Sequence, residues 1–173
     1  LKALIVASAN DSAVAIAEHL AGAEEAFVKL MNARADELGL QNTHYVNCTG
    51  LPAPDHYTTA RDVAKLSAQL DLHPLYYRYS TIWMDEIRHR GGRVTALTNT
   101  NRLIRFYPGC DGYKTGSTNE ARYCISATAK KDGMRLIAVV LGTPAGQTRF
   151  DEARAMLEYG FANVTTDGKE NKN

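Results

Sequence analysis

The sequence has no run of about eighteen apolar residues, the length needed to cross a bilayer as a helix. It also lacks the charged-then-apolar layout of a secretory signal, so no targeting segment gives its location in the cell. An excess of one charge is missing too. Twenty Lys and Arg face nineteen Asp and Glu, a formal charge of +1, which excludes a strongly basic nucleic-acid binder and leaves no charged tail. Cysteine is scarce: Cys48, Cys110 and Cys124 form neither a paired disulfide framework nor a C-x-x-C motif, and they read as small packing residues. His19, His44, His56, His73 and His89 show no i, i+4 pair and no ligand spacing, so the sequence calls for no metal. Internal repeats and low-complexity tracts are absent as well.

What remains is 173 residues, 45% hydrophobic and 23% charged, enough for a proper core. The first seven, Leu1 to Ala7, are an apolar run with no initiator Met, no polar lead-in and no capping residue ahead of it. They read as the interior of an element and therefore as a cut end. Ala13, Ile16, Ala17 and Leu20 share a helical face that stops at Gly22, and Phe27, Leu30, Met31, Ala35 and Leu38 share another that stops at Gly39. A turn-rich connection runs from Leu40 to Tyr57, and Thr59 opens a helix with Val63, Leu66 and Leu70 on one stripe.

From about Ser80 the pattern becomes strand-like, with turns at Gly91-Gly92 and Pro108-Gly109. Tyr123, Ile125, Ala127 and Ala129 alternate with Cys124, Ser126 and Thr128, as in a half-buried strand. Lys131-Asp132-Gly133 is a tight turn, Leu136 to Leu141 is a second strand, and Phe150, Ala153, Leu157 and Phe161 mark the inner face of a closing helix. Tyr76, Tyr77, Tyr79 and Trp83 are expected beneath the sheet or, alternatively, at the edge of a substrate groove. Arg88, His89, Arg90 and Arg93 are expected on a solvated hairpin. Helices followed by an antiparallel meander and a helix mean α+β.

Two short motifs bear chemistry. Ser8-Ala9-Asn10 falls in a break between helices, where it can cap the next helix, hold a hydroxyl and a carboxamide for catalysis, or do both. Lys114-Thr115-Gly116 lies in strand-like sequence after the turn-like Gly109 to Gly112. There Lys114 supplies positive field, Thr115 a donor, and Gly116 a place where another group approaches the backbone. A P-loop is excluded because Tyr113, not Gly, precedes Lys114.

Taken in order, the two motifs resemble the S-x-N and K-T-G elements of active-site serine acylases of the penicillin-binding type. The likeness is specific to the low-molecular-mass D-alanyl-D-alanine carboxypeptidases. It extends over Phe27 to Asn32, Leu38 to Thr43, Gly50-Leu51-Pro52, Thr58 to Asp62, Asn101-Arg102-Leu103, Asp111 to Gly116, Met134 to Ile137 and Arg149-Phe150. The resemblance implies a penicillin-binding protein/β-lactamase-like fold with its N-terminal part missing. The catalytic domain would be incomplete over 1–163, helical to about residue 79 and sheet-bearing from about residue 80, with a polar tail or linker at 164–173.

The resemblance also implies roles. Ser8 would pass a proton to the leaving amine, Asn10 would hold the substrate amide and a catalytic lysine, and Lys114 would stabilise charge and orient Ser8. Thr115 and Arg149 would bind a terminal carboxylate, with Gly116 leaving the backbone open beside them and Ser117 giving its N–H to an oxyanion hole. The implied substrate is a peptidoglycan stem peptide ending in D-Ala-D-Ala, the implied inhibitors are β-lactams, and neither cofactor nor nucleic acid is called for. No S-x-x-K, the family's nucleophile motif, occurs in these residues. The expectation is therefore an inactive fragment whose partner is its own missing N-terminal segment. The location is expected to be extracytoplasmic, with room for an anchor in a missing C-terminal region. A β-lactamase or esterase of the same fold, or a non-catalytic peptidoglycan-binding homologue, remains the alternative.

Overall fold

The computed structural model describes residues 1–164; of the tail expected at 164–173, all but Val164 lies outside the described residues. The chain divides into two compact units, Leu1–Thr100 and Asn101–Asn173.

The first unit contains α1 (Lys2–Ala7), α2 (Asn10–Ala21), α3 (Glu24–Glu37), α4 (Ala60–Leu70), the short α5 (Tyr77–Ser80), and a hairpin of β1 (Met84–Arg88) and β2 (Val94–Thr98). The expected change near residue 80 marks where strands begin, not where the units divide. The hairpin stays with the helices because polar contacts tie it there. Lys2 Nζ binds Asp85 at 2.7 Å and the Glu86 carbonyl at 2.9 Å, and the Thr100 N–H donates to the Val6 carbonyl. The buried Asn99 amide donates to the carbonyls of Ser80 and Ile82.

Small residues make the α2 contact in this unit. Ala13 and Ala17 are buried, whereas Leu20, expected on the inner face, is 64% exposed in the last turn. Leu30 and Leu66 also emerge, lining with Phe27, Met31, Leu40 and Tyr45 an open apolar groove of about 290 Å³. Tyr76 and Tyr77 form an edge-on pair of their own, with ring centroids 5.9 Å apart, and the Tyr77 hydroxyl donates to Asp71.

Side chains, more than backbone ladders, order the connection between α3 and α4. Asn32 donates to the Tyr45 carbonyl and accepts from its N–H, both at 2.8 Å. Asn47 Oδ1 accepts from Thr49 and Gly50, and the buried Asp62 accepts from the Asn42 N–H and the Thr43 hydroxyl. Such Asx bonds replace the secondary structure that the sequence does not form.

The second unit contains α6 (Leu103–Phe106), β3 (Cys110–Thr118), β4 (Arg122–Lys131), β5 (Met134–Thr143) and α7 (Thr148–Asn163), with the strands antiparallel in the order β3-β4-β5. The Asp132-Gly133 turn has positive φ at both residues and joins β4 to β5 in two residues, the primed-turn geometry that matches strand twist. Ile125, Ala127, Ala129, Ala138 and Val140 bury their side chains with Phe150, Ala153 and Leu157 of α7. Here the reading of β4 needs correction. Ser126 and Thr128 are buried too, because the strand is central and the Arg135 side chain bonds Thr128 and then Asp111 across its second face. The turn-like Cys110 to Gly112 is also strand, with a register shift, and the turn itself falls at Gly109. There φ is +89° and a Cβ would meet the Lys130 carbonyl at 2.7 Å.

Candidate active site

Ser8 and Asn10 belong to the first unit, at the α1–α2 junction. Ser8 closes α1 in a left-handed conformation, φ 56° and ψ 40°, with its N–H on the Ala3 carbonyl. The Ala9 N–H reaches the same carbonyl, so the α1 terminus is satisfied by backbone. Glycine is the usual residue for this geometry, and a side chain there costs roughly 1 kcal/mol or more. Sequence reading left capping of α2, catalysis or both open for Ser8 and Asn10. Ala9 is the N-cap residue, Asn10 is the exposed first residue of α2, and in its first turn the Asp11 carboxylate accepts the Ser12 N–H at 2.7 Å. Ser8 occupies a costly backbone position just ahead of that helix.

Lys114, Thr115, Gly116 and Ser117 run along β3, an edge strand, so one side of their backbone is not used by the sheet. Lys114 and Gly116 project from one face of the pleat, and Thr115 and Ser117 from the other. Lys114 Nζ donates to the Thr115 carbonyl at 2.6 Å. Burial pushes its ammonium down to about 8, aided by the Arg149 charge. Thr115 is buried, and a Cβ on Gly116 would meet nothing within 4 Å, so open space lies over that glycine.

Arg149, in the first turn of α7, comes to this strand. Its Nη1 donates to the Gly116 carbonyl at 2.9 Å and the Cys124 carbonyl at 3.3 Å. Its Nε is buried without a hydrogen-bond partner among the described residues. Burial lowers its pKa from the ordinary guanidinium value. The guanidinium carbon lies 5.5 Å from the centroid of the Tyr123 ring and 4.7 Å from that of Phe150. The second unit therefore brings Lys114, Gly116 and Arg149 together as a cationic strand edge, whose charge suits an oxyanion. Tyr123, opposite Ser117 in the β3–β4 register, was not singled out from the sequence, because that register is set by the pairing of the two strands and not by any motif.

The cysteines are all free. Burial raises the Cys110 thiol to about 12 and the Cys48 thiol to about 11, with Glu24 adding to the latter. Among the described residues no group of three or more His, Cys, Asp or Glu could hold a metal ion.

The sequence model of the D-alanyl-D-alanine carboxypeptidase family, peptidase S11, matches residues 1–145. The chain belongs to this family. Among its relatives, the D-alanyl-D-alanine carboxypeptidase DacF of Bacillus subtilis is 45% identical over 166 residues, which are 96% of this chain and 43% of that protein. DacC of Escherichia coli is 39% identical over 92% of the chain and 39% of its own length. The chain thus spans about two fifths of these curated relatives. Among solved structures, the D-alanyl-D-alanine carboxypeptidase DacD from Francisella tularensis superposes with a TM-score of 0.89 at 29% identity, over 94% of this chain and 51% of that one. Penicillin-binding protein D2 of Listeria monocytogenes, in its ampicillin-bound form, gives 0.81 at 34% identity over 92% and 65%. The α+β, penicillin-binding-protein-type fold expected from the S11 motifs is the fold of these neighbours.

Proposed function

We propose that these residues supply the S-x-N and K-T-G parts of a serine D-Ala-D-Ala carboxypeptidase, with the nucleophile and its lysine provided by an S-x-x-K segment outside them. The observation that carries the reading is the junction of Arg149 with the K-T-G strand, where a half-buried guanidinium is fixed on the Gly116 carbonyl beside the half-buried Lys114. A planar cation held at a strand edge suits the terminal carboxylate of a peptide lying along β3.

In the reaction, the serine oxygen adds to the carbonyl between the last two D-alanines, and the peptide C–N bond breaks. Ser8 passes a proton to the departing D-alanine nitrogen, and water then hydrolyses the ester. Lys114 stabilises the negative charge that develops, and the Ser117 N–H serves as one oxyanion donor, worth on the order of 3 kcal/mol. Asn10 holds the substrate amide. Thr115 shares the terminal carboxylate with Arg149. The substrate is a peptidoglycan stem peptide, so the protein works outside the cytoplasm, and β-lactams acylate the same serine. The 173-residue chain by itself is inactive on this reading.

The test is fluorescent-penicillin labelling and D-alanine release from a D-Ala-D-Ala peptide, in the protein that carries an S-x-x-K segment ahead of these residues. A long-lived label together with D-alanine release is the expected result. Rapid penicillin turnover without D-alanine release would favour a β-lactamase. A folded protein that neither labels nor releases D-alanine would sink the reading.

A further inference from the structure

We propose that Tyr123 is a positioning residue for Arg149, its ring setting the guanidinium at the K-T-G strand and thereby determining selectivity for a substrate with a terminal carboxylate. The proposal rests on the carboxypeptidase reading and adds to it a residue outside every motif.

The two carbonyls on Nη1 hold only one corner of the guanidinium, because the long Arg stem can pivot about that corner. Rings restrict the pivot. Phe150 is buried and adjoins Arg149 in α7, so it offers a fixed contact at 4.7 Å. Tyr123 comes from a different element, at 5.5 Å, and so relates α7 to the β3–β4 hairpin. The Tyr123 ring is 38% exposed, so a cation facing it gains modestly, and ordering a side chain before the ligand arrives spares that cost on binding.

Tyr123 is itself held in place. Its register partners are Ser117 on β3 and Thr143 on β5, and its carbonyl accepts from the buried Thr143 hydroxyl at 3.1 Å. Gly146, in the turn leading to α7, leaves room for the ring, since a Cβ there would stand 3.4 Å from Tyr123 Cε1. Its hydroxyl makes no hydrogen bond to a described residue, so the useful part of the side chain is the ring face. That separates a positioning role from an acid–base one.

The experiment measures kcat and KM in the protein carrying the S-x-x-K segment. One substrate is a peptide ending in D-Ala-D-Ala, and the other is an acyl-D-alanyl thioester with an uncharged leaving group. Tyr123→Leu keeps bulk but removes the ring. It should raise KM for the peptide about two- to fivefold, with kcat within about twofold, and leave the thioester unchanged. Tyr123→Phe should behave as the unsubstituted protein. Gly146→Val, whose γ carbons reach beyond a Cβ already in contact with the ring at 3.4 Å, should displace the ring without replacing it, raise the peptide KM about two- to threefold, and settle the matter if Tyr123→Leu fails to fold. An unchanged peptide KM in both Tyr123→Leu and Gly146→Val, or equal loss on the two substrates, overturns the proposal. Failure of the carboxypeptidase reading shows separately, as no turnover and no penicillin labelling before any substitution is made.

Discussion

The two units reach order by different means. In Asn101–Asn173 the strands and α7 close on a continuous apolar cluster, with Ile125, Ala127, Ala129, Ala153 and Leu157 at 1% exposure or less. In Leu1–Thr100 only Val6 and Ala17 are as fully excluded among apolar side chains, and Asn32, Asn47, Asp62 and Asn99 hold the connections through their polar atoms. Apolar burial is non-directional and tolerates reshaping at the cost of cavities. A buried carboxylate or amide is directional, and losing it strands its donors. The two motifs thus sit on scaffolds that should fail differently. K-T-G is backed by a packed sheet. S-x-N sits where a serine takes the left-handed conformation beside a hydrogen-bonded framework.

The largest expected effect probes the sheet. Leu157→Ala empties a buried position between α7 and the strands, and it should lower unfolding free energy by roughly 3 to 4 kcal/mol in a denaturant titration. Next is the polar framework. Asp62→Ala removes the acceptor of the Asn42 N–H and one of the two partners of the Thr43 hydroxyl, and should cost about 1 to 2 kcal/mol. Hydrogen exchange at Asn42 should speed up, while the amides of β4 hold their protection. Equal acceleration in β4 would break the distinction between the units.

Ionisation separates them further. Of the two motifs only K-T-G contains a titratable side chain. The folded pKa of Lys114, about 8, lies below its ordinary 10.5, so the unfolded chain binds more protons between those values. Stability contributed by the second unit should therefore rise as pH climbs from about 8 to 10.5. Activity runs the other way. The charged ammonium is the form that stabilises the developing anion, so kcat/KM should fall about tenfold per pH unit above 8. Lys114→Arg should move that limb to higher pH. A limb that does not move assigns the ionisation to another group.

The same contrast explains what was legible in the sequence. The D-G turn, the Leu136 to Leu141 run and the α7 stripe are period-based signals, and the packed unit realises them as β4, β5 and α7. Burial of Thr128 was not legible, because it depends on Arg135 crossing β4 to reach Asp111. Periodicity also misled for Leu20 and Leu30. Their helical spacing is right, but the face that each occupies, on α2 and on α3, is only partly covered. At the site, motif spacing identified Ser8 and Lys114, whereas the left-handed turn at Ser8 and the ring beside Arg149 arise from backbone geometry and strand register.

Thr59 gives the smallest effect and the finest test of the comparison. It was expected to open a helix, and it does so as the N-cap of α4, its hydroxyl accepting from the Asp62 N–H at 3.2 Å. That bond belongs to the cap, while the Asp62 carboxylate belongs to the loop before it. Thr59→Ala should cost about 1 kcal/mol, the usual worth of a hydroxyl cap. If cap and carboxylate act as one device, the double variant Thr59→Ala/Asp62→Ala should cost less than the sum of the single losses, because a frayed first turn already misplaces the carboxylate. Additive losses would mean that the loop is held independently of the helix start. The polar framework would then be a set of separate ties, with a failure at one leaving the others intact.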